Sequence, residues 1–138
     1  MHKRGQRGIT LIELMVVMVI IALFATVVGQ KLFRNVEKAY LSTTKQQVAE
    51  LEGVLDLFRL DVGRYPTTEE GLKALRERPG TLQGWDGPYL KKDVPQDPWK
   101  HDYVYRCPGQ HGEFDLFSYG ADGQEGGDGD NADIVSWK

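Results

Sequence analysis

Two stretches of this chain hold the side chains whose types and spacing could do chemistry. The first is Gly8-Ile9-Thr10-Leu11-Ile12-Glu13, where a small residue and a lone carboxylate meet an apolar run directly behind Lys3, Arg4 and Arg7. Across residues 9–28, Glu13 is the only ionisable side chain. As a helix rising about 1.5 Å per residue, that run is roughly 30 Å long, the thickness of a bilayer's hydrocarbon core. A carboxylate near one end of such a helix costs on the order of a few kcal/mol unless it is neutralised, paired or held at the interface. Two readings follow. Either Glu13 lies shallow enough to reach water, or the chain is cut between Gly8 and Ile9. The cut would leave a positive amine about one helical turn from Glu13, or beside the Glu13 of a neighbouring copy.

The second stretch is residues 120–133, where Asp122, Glu125, Asp128, Asp130 and Asp133 crowd among glycines. So many carboxylates in one loop repel one another. Calcium would relieve the repulsion, since it accepts irregular sets of carboxylate, amide and backbone oxygens, and glycines let a short loop wrap an ion. The spacing is not an EF-hand: counting from Asp128, the third position is Asp130, but the fifth is Ala132 and the chain ends before a twelfth. Composition alone fits a solvated acidic loop equally well.

Elsewhere the chain offers no catalytic constellation. His2 lies in the leader, His101 and His111 sit in turns without a paired nucleophile, and Ser42, Ser118 and Ser136 lack an activating neighbour. The expectation is that the protein is not an enzyme. Without the leader cations the chain has 14 basic against 20 acidic side chains, which disfavours nucleic acid as a partner. The one cysteine, Cys107, cannot form an intrachain disulfide and reads as a small buried hydrophobe.

The elements that position these stretches can be read from periodicity. Leader cations keep the N-terminus cytoplasmic, leaving the bulk of the chain outside. An ordinary secretory signal, cut near Ala22 or Ala25, is the competing interpretation. Beyond Val28, no proline interrupts the chain before Tyr65, and Leu41, Thr44, Val48, Leu51, Leu55, Phe58 and Val62 fall at helical spacing. One helix of more than 50 residues results, ended by Gly63 and Pro66, its stripe packing against a head domain rather than forming a coiled-coil seam. Thr67 or Thr68 can cap a short helix with Glu69 and Glu70 in its first turn and Leu72 and Leu75 facing inward. Trp85, Tyr89 and Trp99 stand among turn formers, as core plugs or as a binding platform. Alternation then predicts strands at residues 103–107, 114–119 and 134–137. The fold class is α+β: a long N-terminal helix laid on a small antiparallel sheet.

The N-terminal motif resembles the type IV pilin superfamily, whose leader is cleaved after glycine and whose mature chain has glutamate at its fifth position. Gly8, Ile9 and Glu13 fall on those positions, with Ile9 where phenylalanine is usual. Further along, Tyr65-Pro66-Thr67-Thr68-Glu69-Glu70-Gly71-Leu72, Gly87-Pro88-Tyr89-Leu90-Lys91-Lys92, Asp97-Pro98-Trp99 and Ser118-Tyr119-Gly120-Ala121-Asp122-Gly123 are similar to the major pseudopilin family of type II secretion systems. The resemblance implies three segments: a cleaved leader at 1–8, a transmembrane and filament-core helix at 9–28, and a periplasmic head at 29–138. It implies cleavage by a prepilin peptidase, N-methylation of Ile9, and Glu13 pairing with the Ile9 amine of a neighbour. It also implies calcium in the acidic loop, held by the Tyr119 carbonyl, Asp122 and Asp133, with Asp128, Asp130 and Asn131 as further ligands.

The function implied is a structural subunit of an inner-membrane-derived pseudopilus, exporting folded proteins across the outer membrane. Its partners would be further copies of itself, minor pseudopilins, an inner-membrane assembly platform and the exported proteins. The alternatives are a membrane-anchored, calcium-dependent recognition module acting through Trp85, Tyr89 and Trp99, or another pilin-like subunit. Exposed aromatics would favour the recognition module, and packed ones the scaffold.

Overall fold

The structure, a computed structural model, describes residues 8–138, without the Asp130 side chain. The leader cations Lys3, Arg4 and Arg7 lie outside the described residues. Contacts divide the chain into two compact units, one running to Glu37 and the other spanning Lys38–Lys138. A single helix, α1 (Leu11–Val62, 52 residues), contributes to both.

In the first unit every large apolar side chain from Ile9 to Val36 is exposed. An 18-residue stretch of this helix reaches a mean hydropathy of 2.9, so it is long and apolar enough to cross a membrane. The Thr26 hydroxyl, a polar group in that run, donates to the Ala22 carbonyl at 2.9 Å and so needs no outside partner.

In the second unit the stripe does what its spacing predicts. Thr44, Val48, Leu51, Leu55 and Phe58 are buried, and Leu41 and Val62 pack at its ends. Gly63 closes α1 with φ 84°, donating to the Arg59 carbonyl at 2.8 Å. Only glycine adopts that left-handed cap without strain.

Against the stripe lie β1 (Val104–Arg106), β2 (Asp115–Ser118) and β3 (Ile134–Val135), antiparallel in the order β1-β2-β3. Tyr105 pairs with Leu116, and Ser118 with Ile134. Leu116, Ile134, Tyr103 and Tyr105 join Leu55 and Phe58 in one core. The two tyrosines bolt the sheet down by their hydroxyls: Tyr103 donates to Gln47 at 2.6 Å, and Tyr105 to the Pro66 carbonyl at 2.8 Å. Burial pushes both phenols above their ordinary range, so they remain donors.

β2 is buried at all four positions, because its second face carries Phe117 under Trp137, Tyr119 and Arg106. One expectation changes. The short helix foreseen from Thr67 is instead a turn followed by a 3-10 turn, Leu72–Leu75. Thr67 and Glu70 bond reciprocally, side chain to backbone, at 3.2 and 2.8 Å. Gly71 closes a single turn, its N–H donating to the Thr67 carbonyl at 2.9 Å, and its φ of 60° then breaks the helical path.

Candidate metal loop and assembly end

At the N-terminal end, Thr10 caps α1. The Glu13 backbone N–H donates to its hydroxyl at 3.3 Å, which puts Glu13 in the first helical turn, where a negative charge complements the dipole. Gly8 has open space around its Cα and Ile9 is exposed, so nothing among the described residues covers the bond between them. The threonine three residues before Glu13 signals this cap in the sequence, a capping-box pattern that the reading of Glu13 as an isolated charge passed over.

The acidic loop leaves β2 at Ser118 and returns at β3. Its two legs approach closely at glycines: a Cβ on Gly120 would lie 2.9 Å from the Ala132 carbonyl, and one on Gly127 would collide with the Asn131 backbone. Asp133 is folded back into the loop. Its Oδ2 accepts from the Gly126 N–H at 2.9 Å, while its Oδ1 is buried with no hydrogen-bond partner. A buried carboxylate oxygen without a donor is costly, and a cation is one remedy.

The other expected ligands are arranged more openly. Asp122 is exposed and accepts from Gln124 N–H at 3.1 Å. Asp128, just before the 3-10 turn Gly129–Asn131, and Asn131, its last residue, are both exposed, and the Asp130 side chain lies outside what the structure describes. Among the described residues no three Asp, Glu, His or Cys side chains converge as a ready-made metal cluster. The loop therefore offers one orphaned carboxylate oxygen and backbone carbonyls brought close by glycine. That donor set suits a hard cation with many weak oxygen ligands and does not suit a transition metal.

The aromatics are packed into the head. Trp85 donates its indole N–H to the Ala74 carbonyl at 2.8 Å and meets Tyr89 edge-on. Tyr89 packs on Phe58 and donates its hydroxyl to Asp61 at 2.9 Å. Trp99 meets Tyr40 edge-on, with ring centroids 5.6 Å apart. All three are half-buried, with their polar tips or edges committed. Cys107 is also half-buried, its peptide clasped by the Thr68 hydroxyl.

Both histidines outside the leader hold structure. His111 stacks on Trp137 at 4.0 Å and bonds the buried Asp115 at 3.2 Å. His101 bonds the Gly120 carbonyl at 3.1 Å, beside the acidic loop. Sequence reasoning missed this second contact, since nothing local links residues 101 and 120.

Comparison with known proteins bears on both ends. A family model described as type II secretion system (T2SS), protein G, matches residues 31–137, and one described as the prokaryotic N-terminal methylation motif matches residues 3–29. The chain is 44% identical over 137 residues to the type II secretion system core protein G of Vibrio cholerae, covering 97% of this chain and 93% of that protein. It is 44% identical over 142 aligned positions to the core protein G of Pseudomonas aeruginosa, covering 99% of each. Its fold is similar to the crystal structure of the major pseudopilin from the type 2 secretion system of enterohaemorrhagic Escherichia coli, with a TM-score of 0.64 and 40% identity over 77% of this chain and 93% of that one.

Proposed function

The chain belongs to the type II secretion system protein G family, and from that membership we infer that it is the major pseudopilin, the repeating subunit of a type II secretion pseudopilus. The observation that carries the assembly reading is the division of labour along α1. Its second half is buried against the head, while its first half exposes an apolar surface that nothing among the described residues covers. A membrane covers such a surface before assembly, and other copies of the same helix cover it afterwards.

In this reading the head is periplasmic and the helix anchors it in the inner membrane. A prepilin peptidase cuts after Gly8, at a bond the described residues leave open, and Ile9 becomes the methylated N-terminus. Glu13 then pairs with the Ile9 amine of a neighbour in the filament core, which offsets the cost of burying either charge and sets the axial register between copies. Assembly platform, minor pseudopilins and exported proteins are its partners, and the work of export comes from filament growth powered by a separate motor. The role is structural rather than catalytic. The packed Trp85, Tyr89 and Trp99 support the scaffold over the recognition module.

The acidic loop would hold calcium, with Asp133 Oδ1, the Tyr119 carbonyl and Asp122 as its first candidates and Asp128, Asp130 and Asn131 beside them. The ion would supply charge neutralisation and a cross-link between the two legs of the loop. Asp133 itself ties the return leg to Gly126, just ahead of β3.

Intact mass of the membrane-extracted protein tests the processing. A chain beginning at methylated Ile9, with cleavage lost in Gly8→Ala, is expected. Cleavage after Ala25, or none, would sink the filament reading. Glu13→Ala is expected to be processed and inserted yet fail to appear in sheared filaments.

A further inference from the structure

Asp97 is 1% exposed and Ser118 0%, and together they form a buried polar chain that the assembly reading does not use. The Asp97 Oδ1 accepts the backbone N–H groups of Trp99 at 3.0 Å and His101 at 2.8 Å. Its Oδ2 accepts the Ser118 hydroxyl at 2.6 Å. Because the serine has one proton and gives it to Asp97, its oxygen is left to accept, and it takes the Gly120 N–H at 3.1 Å.

The far side of Gly120 is held by the same residue at one remove. The Gly120 carbonyl can only accept, so the His101 Nδ1, 3.1 Å away, must carry a proton. The main chain of His101 is fixed by Asp97 through its N–H and through the Asp97 N–H donating to the His101 carbonyl at 2.9 Å. Gly120 is thus clamped at its N–H and its carbonyl by two groups that one carboxylate organises. It sits at φ 70° where the return leg passes, with Ala132 O at 2.9 Å from where a Cβ would be. Tyr119 precedes it and Asp133 follows Ala132 across that contact.

Among the described residues no lysine or arginine pairs with the Asp97 carboxylate, and the His101 ring lies 3.8 Å from it; burying such a carboxylate is expensive, and an apolar residue would fill the space at lower cost. We propose that Asp97 is a positioning residue: through Ser118 and His101 it presets the root of the acidic loop for a divalent cation that it does not itself touch. The proposal rests on the calcium reading of the loop.

The test uses the full chain in detergent micelles, comparing wild type with Asp97→Asn, Ser118→Ala, His101→Phe and a control far from the loop, Glu70→Gln. Amide hydrogen exchange across residues 120–133 is followed in chelator, and calcium chloride is titrated by calorimetry. Asp97→Asn and Ser118→Ala are expected to speed exchange in the loop and to weaken calcium binding by about tenfold or more, with a smaller effect for His101→Phe. Glu70→Gln should change neither, and Ser118→Thr, which keeps the hydroxyl, should recover much of the binding. Wild-type-like exchange and affinity in Asp97→Asn and Ser118→Ala, with only a lower melting temperature, overturn the proposal and leave the calcium reading standing. No calcium uptake by wild type overturns both.

Discussion

Glu70 shows how a single carboxylate holds together a turn that has no regular structure. Arg64 grips both its oxygens at 2.7 and 2.8 Å, and the Thr67 N–H donates to it at 2.8 Å. The Arg64 hydrogen bonds, opposed by partial burial and aided by Thr67, hold the Glu70 carboxyl below the ordinary glutamate range. A lowered folded pKa means stability that is present above the ordinary range and lost as the pH falls through the folded value. Glu70→Gln is therefore expected to cost about 1–2 kcal/mol at neutral pH. The difference from wild type should shrink between about pH 5 and pH 3, as followed by urea denaturation. Asp115 adds to the same acid sensitivity. Burial pushes its carboxyl up, but the Gln110 and His111 backbone donors and the His111 ring outweigh it, and the net shift is downward.

Among the elements, α1 was the most legible. Its stripe repeats at threes and fours over several turns, and Gly63 marks its end, so both its existence and its buried face follow from periodicity. Leu55→Ala, at a side chain with 0% exposure, should cost about 3–5 kcal/mol, whereas Leu60→Ala, at 79% exposure, should fall within about 0.5 kcal/mol of wild type by chemical denaturation. The three strands were legible from alternation, since each has flanking turn formers. The depth of β2 was not. Its Asp115 and Ser118 look like solvent-facing residues until Gln110, His111 and Asp97 arrive from other parts of the chain to satisfy them. The loop's acidic side chains were legible as a group, but their individual roles depend on which glycine lets which leg close. That is set by contacts such as Gly120 with Ala132, twelve residues apart in a loop without periodicity.

For the molecule as a whole, the calcium reading proposed above predicts that stability depends on what fills the acidic loop, given the orphaned Asp133 oxygen and the sparse regular structure of the head. At calcium a hundredfold above its dissociation constant, linkage contributes about 2.7 kcal/mol. In a domain of this size that corresponds to a melting temperature roughly 10 °C or more above the value in chelator, measurable by calorimetry, with magnesium giving a smaller rise. Asp133→Asn should lose most of that difference while melting near the chelated wild type.

The continuity of α1 has a mechanical consequence. Tension applied at its apolar end travels along one hydrogen-bonded ladder, since no proline interrupts residues 11–62. Where Thr44, Val48, Leu51, Leu55 and Phe58 are sunk in the core, a pull along the axis loads all five in shear at once. Upstream, each turn bears the whole load in series, and the least resistant turn is the one at Gly29, which costs about 1 kcal/mol of helix propensity relative to alanine. A stretched subunit would therefore lengthen near Gly29 before its head came loose, behaving as a spring in line with a clamp.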